Sequence, residues 1–270
     1  MPCRILPVLF LSVLLFVLTA VYSASAERVQ LTFDTSEADQ VLAILAIRSS
    51  GKPVDDSQWQ MLFATEPYQR LKNREQVIAK QFNDPSIVLT DEEFMKFVMT
   101  NDLLARRSEL RATLERWKQA NLQATGENVL KYLPGSAVIR AKIFPIIKPN
   151  SNSFVWESST DPAIFLYLDP AVNAAKFTNT VAHEFHHIGL ASAQADYEAR
   201  IKKLPERAQS AAEWMGAFGE GLAMLAAAGS PDVDPHAAST KEEHARWEND
   251  IANFNSDLMA VNAFFLDILH

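Results

Sequence analysis

Two histidines four residues apart, with a glutamate directly after the first, are the residues in this chain best suited to chemistry. They lie in the segment His183-Glu184-Phe185-His186-His187. Residues four apart on an α-helix are one turn apart on the same face, so His183 and His187 can converge on one metal ion. Glu184 lies beside this pair, where its carboxylate can reach a water molecule on that ion. The segment therefore predicts a helical metal site that activates water.

A helical wheel separates the metal-facing side of this helix from its core side. Phe177, Val181, Phe185 and Ile188 fall within about 80° of one another and predict a buried stripe. The two histidines four residues apart fall outside the stripe and face a cleft. His186 falls outside the ligand pair, so we expect it to support the ligands from behind or to lie on the surface, with a role as an alternative ligand left open. The competing interpretation is an exposed helix whose histidines are merely solvated.

A catalytic zinc site normally has three protein ligands and one open position. The single cysteine, Cys3, lies in a segment that we expect to be removed, so the ligands must be His, Asp or Glu. Glu220, in Phe218-Gly219-Glu220-Gly221-Leu222-Ala223, shares a helix side with small residues that would allow close approach to the first helix. Glu213 lies two turns earlier on the same face. Glu220 is favoured as the third ligand, and Glu213 stays open as that ligand or as a partner of a ligand histidine.

The motif HEFHH followed by EGLA resembles the gluzincin group of metallopeptidases, and within it a set of predicted secreted bacterial peptidases with long spacers. The resemblance covers about Ala163 to Ala228. It implies that His183, His187 and Glu220 bind Zn²⁺. It also implies that Glu184 is the general base in the hydrolysis of peptide bonds, which makes the protein a zinc metallopeptidase acting on a peptide or protein substrate.

Other functions remain compatible with the same residues. One is a non-catalytic zinc-binding protein of the same fold, and another is an interaction module whose histidines are structural. A third is a different metal-dependent hydrolase, such as an iron-dependent deformylase. A peptidase also needs a group that stabilises the oxyanion, for which Tyr197, His236 and His244 are the candidates.

The residues before the metal motif predict a helical N-terminal region over 27–133. Within it, Val29 to Phe33 predicts a short strand, and the apolar run Val41 to Ile47 predicts a helix. The segment Thr90-Asp91-Glu92-Glu93 resembles a capping box. We expect it to open one long amphipathic helix that continues to Trp117.

The residues from 134 to 270 predict a zincin-like catalytic region with at least two strands. Ala137 to Ile147 is rich in β-branched residues and predicts one strand, for which Pro145 favours an edge position. Ala163 to Leu168 predicts a second strand, which follows the pattern of a substrate-binding edge strand. We expect it to pair with an extended peptide through main-chain hydrogen bonds, and the alternative is a core strand.

Three long helices are expected after these strands, over 174–204, 206–228 and 240 to the end of the chain. The predicted fold class is α+β and mainly helical, with zincin-like metal-site helices beside a small sheet that has an edge strand. The last residues form an apolar run from Val261 to Leu269, which suggests that the catalytic region is truncated at its C-terminus or ends in a docked helix.

The first 26 residues predict a cleaved signal peptide. Arg4 provides a positive charge, Ile5 to Val21 is almost wholly apolar, and Ala24-Ser25-Ala26 offers a cleavage site before Glu27. We therefore expect a secreted or periplasmic protein without membrane attachment after cleavage. The alternative is an uncleaved membrane anchor.

Composition and charge restrict the class of partner. Hydrophobic residues make up 48% and charged residues 21% of the 270 residues, the balance of a folded protein. The formal net charge is -8. Because phosphate binding needs a basic surface, this charge argues against nucleic acid as a partner. The sequence does not predict the oligomeric state.

Overall fold

The protein is described from a computed structural model, which describes residues 28–157, 160–194, 197–214, 216–230, 233 and 240–269. The expected signal peptide over 1–26 lies outside the described residues, and export therefore stays a prediction. His236 lies outside them as well. The side chains of Tyr197 and Glu213 are likewise not described.

One mixed sheet contains four short strands, β1 (Val29–Phe33), β2 (Ile139–Ile146), β3 (Phe154–Trp156) and β4 (Ala163–Tyr167). Their order is β1-β2-β4-β3. The first three in this order run parallel, and β3 pairs antiparallel with β4 at one edge. The strands predicted over Val29 to Phe33 and Ala163 to Leu168 are therefore confirmed as β1 and β4. β1 comes from the N-terminal region and completes a sheet with strands from the C-terminal region.

Pro145 lies in an internal strand, so its expected edge position is wrong. The main-chain groups of Ile143 face β1, because the Ile143 carbonyl accepts a hydrogen bond from the Asp34 N–H at 3.0 Å. Pro145, two residues on, faces the same side. The pairing between β1 and β2 stops at Ile143. The nitrogen of Pro145 therefore faces past the end of β1, where no ladder hydrogen bond is lost.

β4 is also internal, which corrects the expectation that it forms a substrate-binding edge. Ile164 pairs with Ile143 of β2 on one side and with Val155 of β3 on the other. Both edges of β4 are thus taken, and Ala163 to Leu166 are buried. The edge strand of the sheet is β3, a segment of three residues.

Helices make up most of the described chain, and the prediction of a mainly helical α+β fold is confirmed. None of the described helices is both long and apolar enough to cross a membrane. The helices are α1 (Ser36–Ser49), α2 (Asp56–Phe63), α3 (Glu66–Phe82), α4 (Asp91–Val98), α5 (Asn101–Ala105), α6 (Arg107–Lys118), α7 (Leu122–Val129), α8 (Ala174–Ala193), α9 (Tyr197–Ile201), α10 (Glu206–Trp214), α11 (Gly216–Ala228) and α12 (Lys241–Leu269).

The expected single helix from Thr90 to Trp117 is wrong, because three helices, α4 to α6, occupy this range. Its start is confirmed, since Thr90 and Glu93 form a reciprocal capping box. The interruption has a long-range cause. Arg48 of α1 donates hydrogen bonds to the carbonyls of Val98 and Thr100 at 2.9 and 3.1 Å. These carbonyls lie where one helix would have continued.

One of the expected C-terminal helices is also divided, because the range 174–204 contains α8 and the short α9. The range 206–228 is helical on both sides of Met215, which lies outside the described residues, so its continuity as one helix stays a prediction. The expected helix from residue 240 is confirmed as α12, which starts at Lys241. Thr240 accepts a hydrogen bond from the Glu243 N–H, and the Glu243 carboxylate accepts one from the Thr240 N–H.

A buried glutamate at the end of β2 should make stability depend on pH. Glu37 is fully buried, and one carboxylate oxygen accepts the Ile147 N–H at 3.0 Å. The other oxygen has no partner among the described residues. Burial raises the pKa of Glu37 to about 8, from 4.5. Between these values the unfolded carboxyl is ionised while the folded one keeps its proton, so the free energy of unfolding falls as pH rises from about 4.5 to about 8.

The variant Glu37→Gln keeps the acceptor for the Ile147 N–H and removes the titration. We expect its free energy of unfolding to gain about 2–3 kcal/mol relative to wild type between pH about 6 and pH about 9. Urea unfolding of both proteins across this pH range measures the difference between their free energies of unfolding. Because both proteins contain the same histidines, the titration of the histidines cancels in this difference. A difference that stays constant with pH would show that Glu37 is ionised in the folded protein.

Candidate metal centre

The helix α8 carries the two predicted histidine ligands and is anchored at its start and along its core side. Asn173 caps it by accepting the Lys176 N–H at 2.9 Å. The buried stripe predicted by the helical wheel is confirmed, because Phe177, Val181, Phe185 and Ile188 are all buried. The Phe177 ring stacks on Trp117 of α6 at a centroid distance of 4.4 Å.

Close packing on the sheet side fixes the position of α8 further. A Cβ atom added to Gly189 would clash with the Leu133 side chain and lie 3.2 Å from Ile139 Cγ1. The absence of a side chain therefore allows α8 to lie directly against the start of β2. On the opposite side of α8, the helix α11 packs against it, with Ala223 fully buried.

Three side chains from α8 and α11 come together at one point. The Nε2 atoms of His183 and His187 lie 3.0 Å apart. Glu220 Oε2 lies 3.2 Å from the first and 3.4 Å from the second. The histidines are half-buried, and the Glu220 side chain is 63% exposed. The structure thus brings together the three residues that the sequence predicted as ligands, on two helices separated by a long spacer.

These distances fit a zinc ion. A tetrahedral Zn²⁺ with nitrogen and oxygen ligands at about 2.0–2.1 Å places its ligand atoms about 3.3–3.4 Å apart. The observed separations of 3.0–3.4 Å approach this triangle. Two imidazoles and one carboxylate also form a donor set that zinc prefers, with room for a fourth ligand. His183, His187 and Glu220 could therefore hold a metal ion.

The electrostatics of the site favour neutral imidazole at His183. Burial lowers the pKa of His183, and the neighbouring His187 lowers it further, while Glu220 acts in the opposite direction. Metal binding requires the unprotonated ring, so the surroundings keep His183 in the form that binds metal.

Glu184 lies on α8 directly after His183 and is half-buried. Burial raises the pKa of its carboxyl, and the nearby Glu220 raises it too, while His187 lowers it. Glu184 is not one of the three residues whose donor atoms cluster. Its electrostatic interactions with His187 and Glu220 place it near the cluster, and its role as general base stays a prediction.

His186 is buried rather than on the surface, which corrects one of the two expectations for this residue. Its ring is only 1% exposed and lies edge-on to His187 at a centroid distance of 6.1 Å. Burial lowers the pKa of His186 to about 4, and the two neighbouring histidines add to the effect. Its Nδ1 atom has no hydrogen-bond partner among the described residues. His186 is therefore a buried neighbour of His187, and its roles as a support or as an alternative ligand stay predictions.

The remaining predicted site residues are placed less fully. Glu213 belongs to the end of α10, but its side chain is not described, so its role as an alternative ligand or partner stays a prediction. The same holds for Tyr197 and His236 as oxyanion donors. His244, the third such candidate, is exposed on the first turn of α12, and its Nε2 atom lies 3.4 Å from Glu248 Oε1.

One contact near the site was not predicted from the sequence. Lys176 of α8 forms an ion pair with Glu243 of α12 at 3.5 Å, which ties the start of α12 to the metal-site helix. Thr240 and Glu243 have the spacing of a capping box, which is the signal that could have placed the start of this helix. No pattern in the sequence predicts that Glu243 pairs with Lys176, which lies 67 residues earlier.

Comparisons with known proteins identify the family. Searches of the curated proteins and of the solved structures found no match to this chain. A family model, DUF5700, matches residues 59–270, and its description reads "Putative zinc dependent peptidase". The match covers well over half of the chain and includes all three clustered residues. The chain therefore belongs to the DUF5700 family, a family described as zinc dependent, and its His-His-Glu group is suited to that metal.

Proposed function

We propose that the protein is a zinc peptidase of the gluzincin type, with His183, His187 and Glu220 as the metal ligands. The observation that carries the proposal is the cluster of three donor atoms 3.0–3.4 Å apart on two packed helices. The family description supports zinc and peptide hydrolysis at a general level. The spacing of the histidines on one helix and the glutamate on the second supports the gluzincin arrangement.

The proposed reaction assigns one role to each side chain. A zinc ion held here supplies Lewis acidity, which lowers the pKa of water and polarises a scissile carbonyl. His183 and His187 would hold the ion through their Nε2 atoms, and the Glu220 carboxylate would be its third ligand. Glu184 accepts a proton from the attacking water and passes it to the leaving amine. The half-buried Glu184 interacts electrostatically with His187 and Glu220, which supports a place for its carboxylate beside the metal.

The proposed substrate is a peptide or protein. The net charge of -8 argues against nucleic acid as a substrate. Because β4 has neighbours on both sides, an extended substrate cannot pair with it. We therefore expect no main-chain hydrogen bonds between the substrate and β4.

We also propose that the protein is exported. The apolar run Ile5 to Val21 followed by Ala24-Ser25-Ala26 supports cleavage after Ala26. The N-terminal sequence of the protein recovered from periplasm or medium tests this proposal. A mature chain that starts at Glu27 is expected, and retention of the full chain in the membrane fraction would contradict it.

Removal of the metal tests the proposed chemistry. A chelator should abolish cleavage of casein or of a fluorogenic peptide library by the full chain, and zinc in equal molar amount should restore it, because the activated water depends on the ion. Zinc content is measured in the same samples. Cleavage that persists after the zinc is gone would contradict the proposal. Bound zinc without any cleavage would favour the non-catalytic alternative.

A further inference from the structure

An apolar groove lies along α12, outside the metal centre, and apart from Phe218 of α11 its lining residues belong to α12. Phe218 of α11 and Phe254, Leu258 and Val261 of α12 line it, around a volume of about 640 Å³. Each of these four side chains is more than a third exposed. Phe218 lies two residues before Glu220 on α11, which is about 200° around the helix. The groove therefore lies on the side of α11 away from the proposed ligands.

Two carboxylates lie within this apolar groove. Asp250 and Asp257 line it, and they are seven residues apart on α12. That spacing is two helical turns, so both lie on the same face as Phe254 and Val261. The described residues that line the groove include no lysine or arginine. A docking surface with acidic groups inside an apolar stripe selects a partner of opposite charge.

We propose that this groove docks a basic amphipathic helix of a partner protein. The apolar face of the helix would fill the space between Phe218 and Phe254, and its lysines or arginines would reach Asp250 and Asp257. This is the helix-in-groove mode of recognition, with apolar anchors at intervals of three and four residues. The net charge of -8 steers a basic partner towards the protein.

The charges on the groove disfavour two other occupants. A second copy of this chain, docked through the same face, would bring its own Asp250 and Asp257 against those of the first, and like charges repel. A membrane surface rich in anionic lipid would be repelled in the same way. A basic helix is the occupant whose charge complements both carboxylates.

The groove can be tested without measuring hydrolysis, so the result does not depend on the proposed peptidase activity. The probe is a labelled 18-residue helical peptide of leucine and lysine, with the leucines on one face. A matched peptide carries glutamate in place of lysine. Fluorescence anisotropy measures the binding of each peptide to the full chain carrying Glu184→Gln, which prevents cleavage of the probe. The lysine peptide is expected to bind at least about tenfold more tightly than the glutamate peptide.

Matched variants on α12 locate the binding surface. Phe254→Ser should weaken binding of the lysine peptide about tenfold or more, whereas Met259→Ser should not. Met259 is 67% exposed and lies about 140° around the helix from Phe254. Asp257→Lys should likewise weaken binding, and Asp267→Lys should leave it nearly unchanged. Asp267 is an exposed carboxylate of the same helix that does not line the groove.

Three results would overturn the proposal. One is equal binding of the lysine and glutamate peptides, which would show that the groove does not select charge. Another is a loss of binding that is the same for Phe254→Ser and Met259→Ser. The third is self-association of the chain in sedimentation experiments that Phe254→Ser abolishes, which would assign the groove to a second copy.

Discussion

Glu184→Gln should retain zinc and lose nearly all peptide hydrolysis. The amide has the shape of the carboxylate but cannot accept a proton, and a positioned general base contributes about 10²–10⁴-fold to the rate. We therefore expect kcat to fall by about that factor, which corresponds to about 3–5 kcal/mol of activation free energy. Because burial already disfavours the charged form of Glu184, the neutral amide should not destabilise the fold. Steady-state kinetics on a fluorogenic peptide and metal analysis of the same preparation measure both effects.

The comparison needs a control of the same chemistry away from the metal. Glu248→Gln makes the identical change at an exposed residue of α12 and should leave kcat unaltered. If Glu184→Gln kept full activity with zinc bound, Glu184 could not be the proton acceptor. If it lost zinc as well, the loss of activity would have a different cause, and the assigned role would fail.

His187→Ala should remove zinc binding by the site. Substitution of residues that only support a ligand already costs about 10–100-fold in metal affinity, so loss of a direct ligand should exceed that range. His183→Ala should have the same effect, because both Nε2 atoms belong to one cluster. Titration of the metal-free proteins with zinc in the presence of a competing chelator measures the affinity.

His244→Ala is the matched control for these variants. His244 is exposed and lies beside Glu248, outside the cluster, so its removal should leave zinc affinity within a factor of about two. Equal zinc affinity in His187→Ala and wild type would show that the ion binds elsewhere. The unfolding temperature should rise with zinc in wild type but not in His187→Ala, because a ligand stabilises only the protein that binds it.

Local patterns in the sequence were enough to predict the metal-site helix. The period of 3.6 residues separates the buried Phe177 and Phe185 from the two histidines four residues apart, and the structure agrees. The capping box at Thr90 depends on residues three apart, and it forms as predicted. The position of Glu220 near the histidines could only be predicted by considering two distant motifs together. Glu220 is 33 positions after His187, and a separation of that length in the sequence does not determine the distance between two side chains.

Features that depend on distant partners could not be predicted in this way. The break of the helix after Val98 follows hydrogen bonds from Arg48, fifty residues earlier. The internal strand tolerates Pro145 because the pairing with β1 ends before this residue. The residues around Pro145 carry no information about the length of β1. The burial of His186 depends on the helices that pack against α8. A helical wheel of α8 alone could therefore show that His186 lies outside the ligand pair, but not whether it is buried or exposed.

The metal content of the wild type beside Glu220→Ala and Glu213→Ala tests the central claim most directly. Elemental analysis after gentle purification should find one zinc per wild-type chain, because three donor atoms lie at ligand separations. Glu220→Ala should lose most of that zinc, and Glu213→Ala should retain it. Full zinc content in Glu220→Ala, together with its loss in Glu213→Ala, would contradict the proposed metal centre.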